Sequence, residues 1–118
     1  MNLIDELVKI DSVIAAGEYA FRGDRFSYVG ELTDELAKMA SVMCRATTMA
    51  VHMQTDMMSS LGKDCGCSPA RGWVVNGDKI SACVIGNIFC FIQNGEGNLN
   101  NVVKLLIARV EDQSGDLV

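Results

Sequence analysis

Between Leu32 and Leu61 the chain reads as one long helix, with more apolar surface than a single face can hold. Leu32, Leu36, Met39, Met43, Ala46, Ala50, Met57 and Leu61 recur at three- and four-residue steps and form one stripe at helical period. Ala40, Cys44, Val51 and Met58 widen that stripe on one side; Val42, Met49 and Met53 widen it on the other. The arc left for water is narrow: Asp34, Lys38, Ser41, Arg45, His52, Asp56 and Ser59. A helix resting on one sheet needs an apolar face of only about 100°. The surplus predicts a second partner, most simply the same helix from another copy. Such a helix would be about 45 Å long at about 1.5 Å per residue. Thr33 is placed to cap it and Gly62 to end it.

The flanking segments supply a sheet for that helix. A first helix is predicted over Leu3–Ile10, capped by Asn2, with Leu3, Ile4, Leu7 and Val8 inward and Asp5 and Glu6 in the first turn. Ser12–Tyr19 reads as a central strand. After the polar turn at Phe21–Arg25, Phe26, Ser27 and Tyr28 begin its hairpin partner. The segment Lys63–Pro69 is a loop that holds the only proline. A meander follows: Arg71–Val75, a tight turn at Asn76-Gly77 with positive φ at both residues, Lys79–Ile85, a turn at Gly86-Asn87, and Ile88–Gln93. Asn98 is placed to cap a last helix with Leu99, Val102, Val103, Leu106 and Val110 inside, and residues 111–118 read as a frayed tail. The order α-β-β-α-β-β-β-α is an α+β chain. It is buried most simply as a single five-stranded antiparallel sheet with helices on both faces.

Length and charge narrow the function classes. A chain of 118 residues makes one domain, set here at residues 1–110, and its 49% apolar content fits a packed globule. A formal charge of −5 with scattered Lys and Arg argues against nucleic acid. No stretch approaches the roughly 20 apolar residues a membrane helix requires. The acids of Met1–Glu6 stand where a signal peptide would be basic, which predicts a cytoplasmic protein. Five cysteines cannot all pair within one chain, so free thiols are expected.

The candidate chemistry is thin. Cys65-Gly66-Cys67 could hold a soft metal, with a dimer supplying four sulfurs, or could cycle as a redox couple. Zinc sites, however, space their cysteines by two to four residues and need a second pair, which this chain lacks. A thiol or metal module therefore stands as the alternative to a plain loop. Cys44, Cys83 and Cys90 read as small buried hydrophobes. His52 has Asp56 one turn ahead and only Ser59 as a possible nucleophile, so a solvated pair is the simpler reading and no catalytic site is assigned. Met39, Met43 and Met57 centre on the stripe and read as packing, whereas Met49, Met53 and Met58 lie off-centre and read as partner contacts, with His52 nearby. Trp73 is either an interface anchor or a core ring under a helix. Arg22-Gly23-Asp24 is a good turn, and Gly95-Glu96-Gly97 lacks the lysine and spacing of a phosphate loop. A small-molecule cavity under the methionine-rich helix is a third possibility, weakened by the lack of convergent polar groups.

Four features together resemble the roadblock (dynein light-chain type) domain family, in an uncharacterised bacterial branch. They are Leu3-Ile4-Asp5-Glu6-Leu7, the strand entry Val13-Ile14-Ala15-Ala16, the long middle helix, and the glycine-punctuated strands Gly72-Trp73-Val74-Val75 and Val84-Ile85-Gly86-Asn87. Ser12 departs from the pattern, standing where the family has a glycine. The resemblance implies a profilin-like α/β/α sandwich and a homodimer in which middle helices pair and third strands meet edge to edge. Carried to this chain, the interface would take Cys44, Thr48, Val51, Thr55 and Met58 from the helix and Gly72, Trp73, Val74 and Val75 from the strand. Members of that family serve as scaffolds and as regulators of small GTPases, so the expectation here is a non-enzymatic scaffold or regulatory partner, with a GTPase partner not implied by the fold alone; no cofactor or metal is assigned.

Overall fold

A computed structural model describes residues 3–20, 25–62 and 70–112. The expected Asn2 cap, the turn residues 21–24, the loop 63–69 with Cys65 and Cys67, and the tail 113–118 lie outside that range. The elements are α1 (Leu3–Val8), β1 (Val13–Tyr19), β2 (Phe26–Gly30), α2 (Asp34–Met58), β3 (Gly72–Asn76), β4 (Ile80–Ile85), β5 (Ile88–Gln93) and α3 (Asn98–Asp112). A short 3-10 turn, Ser59–Leu61, extends α2. The chain is thus an α+β protein whose five strands form one antiparallel sheet in the order β2-β1-β5-β4-β3. The β1–β2 hairpin forms as expected, and β1 is an interior strand.

Alternation along the strands sends two sets of side chains to opposite faces. On one face, Leu3, Ile4 and Leu7 of α1 and Val102 and Leu106 of α3 close over Val13, Cys83, Cys90 and Ile92. An ion pair from Arg109 Nη1 to Glu6 Oε2, 2.6 Å, links the two helices at the rim. On the other face α2 lies over Tyr19, Val84 and Phe89. The inner positions expected of α1 and α3 are found, with Leu99 and Val103 half-buried. Val110 lies beyond the last described side chain.

The roll of α2 differs from the expectation. Its buried residues are Ala37, Ser41, Cys44 and Thr48, spaced four, three and four apart. Ser41 belongs to the arc expected to face water, yet it is 7% exposed and donates its hydroxyl to Ala37 O at 2.9 Å. Arg45 and His52 of the same arc are half-buried. Of the expected apolar stripe, Leu36, Met39, Met43, Met57 and Leu61 point outward. The physical reason is bulk: the sheet contributes the large groups on this face, Tyr19, Phe89 and Phe91, so close packing leaves room only for the helix's smallest side chains. Thr33 does cap the helix, accepting from Leu36 N at 3.1 Å.

Two turn assignments also change. Asn76 stays in β3 opposite Ser81, and no described non-glycine residue has positive φ, so the expected tight turn at Asn76-Gly77 is replaced by a longer connection. Ser81 Oγ makes this connection possible by lying 2.7 Å from Asn76 Oδ1 and 2.6 Å from Asn94 Oδ1. The Gly86-Asn87 turn forms, with φ +63° at Gly86 alone, the pattern of a type II′ hairpin. At the last helix Gly97 is the capping position, since its carbonyl receives Asn101 N at 3.0 Å. Asn98 is the first helical residue and donates its side-chain amide back to Gln93 O at 3.0 Å. The helix runs to Asp112, two residues into the segment expected to fray.

Candidate functional site

With the small residues turned inward, α2 presents its large apolar side chains to solvent. Leu36 is 51% exposed, Met43 61%, Met53 72% and Leu61 82%, and Met39, Val42, Met49, Met57 and Met58 are exposed beside them. Single exposed apolar residues need no explanation, whereas large contiguous apolar patches are a general mark of interaction surfaces. Methionine suits such a surface because its unbranched thioether chain adapts to irregular partners.

The surface continues off the helix. A groove of about 380 Å³ runs between α2 and the β5-β4-β3 side of the sheet. Leu36, Met39 and Met43 form one wall, and Trp73, Val75, Ala82 and Phe91 form the floor and far wall. Its outer limit is β3, the edge strand, where Val74 and Val75 are exposed. An edge strand leaves a row of backbone N–H and C=O groups ready for another strand, and natural proteins blunt such edges with charge or proline. Gly72-Trp73-Val74-Val75-Asn76 carries neither.

A buried polar knot holds the helix and the edge strand together. Trp73 Nε1 donates to Thr48 Oγ1 at 2.8 Å, and the Tyr19 hydroxyl shares the same oxygen at 3.2 Å. One threonine of α2 is thus bonded to both β1 and β3. Burial raises the Tyr19 phenol above its ordinary pKa, and the Thr48 contact and the nearby Arg45 charge partly counter this. Composition gave no signal for this knot. The signal available was the run of small residues Ala37, Ser41, Cys44 and Thr48 at helical steps, hidden by the louder methionine stripe.

The residues expected at an interface divide accordingly. Cys44 and Thr48 lie inside the subunit, 6% and 7% exposed. Val51, Thr55, Gly72 and Trp73 are half-buried, whereas Met58, Val74 and Val75 are exposed. Trp73 sits under α2 as a core ring, with one edge lining the groove. Met39, Met43 and Met57, expected in packing, are as exposed as Met49 and Met53, expected to touch a partner. Within the groove Thr47 brings the one hydroxyl that is not already bonded into the knot, which gives a polar ligand little to recognise.

Chemistry elsewhere is muted. Cys44, Cys83 and Cys90 are free and buried. Burial pushes the Cys44 thiol up to about 11, and Cys90, which faces Cys83 across β4 and β5, is raised further by that thiol contact and by burial. Neutral buried thiols are poor nucleophiles. Ser59 Oγ donates to Thr55 O at 3.0 Å, so its proton is committed to the helix backbone rather than to His52. Among the described residues no group of three His, Cys, Asp or Glu could hold a metal ion, and no helix is long and apolar enough to cross a membrane.

The family of uncharacterized conserved proteins DUF2173 matches residues 3–108, from the start of α1 into α3. This chain belongs to the DUF2173 family. No curated protein and no solved structure matches it. The match spans α2, the groove and β3, so the apolar surface lies within the family's domain and is not an appendage to it.

Proposed function

We propose that this DUF2173 protein is a non-enzymatic, homodimeric interaction module that serves as a scaffold or regulatory partner for another protein in the cytoplasm. The observation that carries the reading is the outward apolar face of α2, continuous through the groove with an unblunted edge strand. A two-fold axis beside β3 satisfies all three at once. Antiparallel pairing of the two β3 strands joins the sheets, and each α2 then lies over the other subunit's groove. Such a contact is isologous, the commonest kind among soluble oligomers. Three core thiols held free agree with a reducing compartment. The roadblock resemblance supports the same arrangement and names small GTPases as the partner class to test first.

Sedimentation over a wide concentration range tests the dimer. The native chain sediments as a dimer at micromolar concentration, and the Val75→Lys/Met43→Glu variant sediments as a folded monomer. A native chain that stays monomeric at 100-fold higher concentration sinks the reading. For the partner, nucleotide turnover of a small GTPase from the same cell is measured with and without the protein. An unchanged rate counts against that partner class.

A further inference from the structure

Sulfur is sorted by type across this chain. All six methionines among the described residues, Met39, Met43, Met49, Met53, Met57 and Met58, lie exposed on α2. The buried core is built from Leu, Ile, Val, Phe, Tyr, Ala and Cys, and among the described residues it holds no methionine. Cys44, Cys83 and Cys90 are the reverse case, buried away from any dissolved oxidant. Leucine has a similar volume and a similar helix preference, so packing alone does not call for a thioether at six positions.

What sets a thioether apart from leucine is that a peroxide oxidises it. The sulfur lone pair forms an S–O bond as the O–O bond breaks. The departing hydroxide takes the proton from the transferred oxygen, which leaves a sulfoxide and one water. Sulfur loses two electrons and the peroxide gains them. Met39 and Met43, 55% and 61% exposed, stand one turn apart on the wall of the apolar groove. A sulfoxide oxygen there needs a hydrogen-bond donor once a partner displaces the water around it. The groove offers few. Trp73 Nε1 already donates to Thr48 Oγ1 at 2.8 Å, and Leu36, Val75, Ala82 and Phe91 have no side-chain donor. Thr47 brings one hydroxyl and Cys44 one weak thiol donor for two new oxygens. The backbone N–H groups along the β3 edge are taken up by strand pairing when a second copy binds.

We infer that Met39 and Met43 form an oxidation site through which hydrogen peroxide releases the paired subunits, a regulation that rests on the dimer proposed above. In the free subunit both sulfurs face water and react. Once oxidised, each must shed its hydration to re-enter the contact. The dissociation constant rises by about tenfold or more, the scale of one unpaired buried polar group.

The test treats the native dimer with hydrogen peroxide to partial oxidation, separates dimer from monomer by gel filtration, and maps sulfoxides by mass spectrometry. Sulfoxide at Met39 and Met43 gathers in the monomer fraction. Sulfoxide at Met49 and Met53, which do not line the groove, divides evenly. The monomer keeps its far-ultraviolet circular dichroism and a cooperative melt. Dithiothreitol alone leaves it monomeric. Adding methionine sulfoxide reductases of both stereospecific classes restores the dimer, the oxygen leaving as water while the dithiol becomes a disulfide. Met39→Leu/Met43→Leu, compared with its own untreated dissociation constant, shows no response to peroxide. Sulfoxides at both positions in the dimer fraction, an unfolded monomer, or recovery with dithiothreitol alone (which places the effect on a cysteine) would overturn the inference while the dimer stands. An untreated chain that is already monomeric removes the dimer itself, and this inference with it.

Discussion

Replacing Thr48 by valine tests whether one hydroxyl holds α2 and the edge strand in register. Valine keeps the branched shape and removes the oxygen that Trp73 Nε1 meets at 2.8 Å and the Tyr19 hydroxyl meets at 3.2 Å. Leaving a buried donor or acceptor without a partner costs about 1–3 kcal/mol. Tyr19 is 1% exposed and gains little from water, whereas Trp73 is half-buried and recovers part of the cost from water. The added methyl returns about 0.8 kcal/mol of apolar burial. The balance is a loss of about 2 kcal/mol, a large share of the roughly 5–15 kcal/mol that holds a domain together. Urea unfolding followed by fluorescence reads it directly, because Trp73 is the only tryptophan. The midpoint falls at unchanged slope, and native emission shifts to the red as the indole N–H finds water. Thr48→Ser keeps the oxygen and keeps the blue emission. A loss below about 0.5 kcal/mol, the scale of an ordinary surface substitution, together with unshifted emission, would refute the knot as the tie between helix and strand.

Other outcomes follow from particular contacts. Gly72→Ala places a Cβ 2.0 Å from Val84 O and 3.0 Å from Ile85 Cα, both backbone atoms, so β3 must separate from β4. The thermal midpoint drops and any dimer dissociates, which sedimentation of the variant shows. Arg109 holds the Glu6 carboxyl below its ordinary range, chiefly through their hydrogen bond. A depressed carboxylate stabilises the fold above its unfolded pKa, and that contribution fades as pH falls through the folded value. Melting curves between pH 6 and pH 3, values set by the carboxylate range, are therefore steeper for the native chain than for Arg109→Gln. Equal slopes would deny the ion pair any role. Cys44, Cys83 and Cys90 resist iodoacetamide at about pH 8, below the ordinary thiol range, in the native state and react in denaturant, which peptide mapping by mass spectrometry reads site by site. Fast native labelling of Cys44 would show that α2 lifts readily from the sheet.

Much of the architecture was legible because short-range physics dictates it. Alternating and continuous apolar runs, glycine and asparagine turns, and a threonine cap gave all eight elements in their order, and the sheet follows once those elements must share one core. The surplus of apolar residues on α2 was also legible, since periodicity counts side chains without regard to what they touch. Which way the helix rolls was not. Periodicity assigned Met39, Met43 and Met57 to core or dimer packing and Ser41 to the water-facing arc, but the fit to Tyr19 and Phe89 depends on volume across a sheet assembled from distant segments. Only the tertiary structure brought Thr48 to Trp73 and Tyr19, because residues far apart in the chain carry no mark of their meeting. The sequence by itself determined that this helix has apolar surface to spare. Three-dimensional packing decided which surface that is, because the sheet accepts only side chains small enough to let the helix approach.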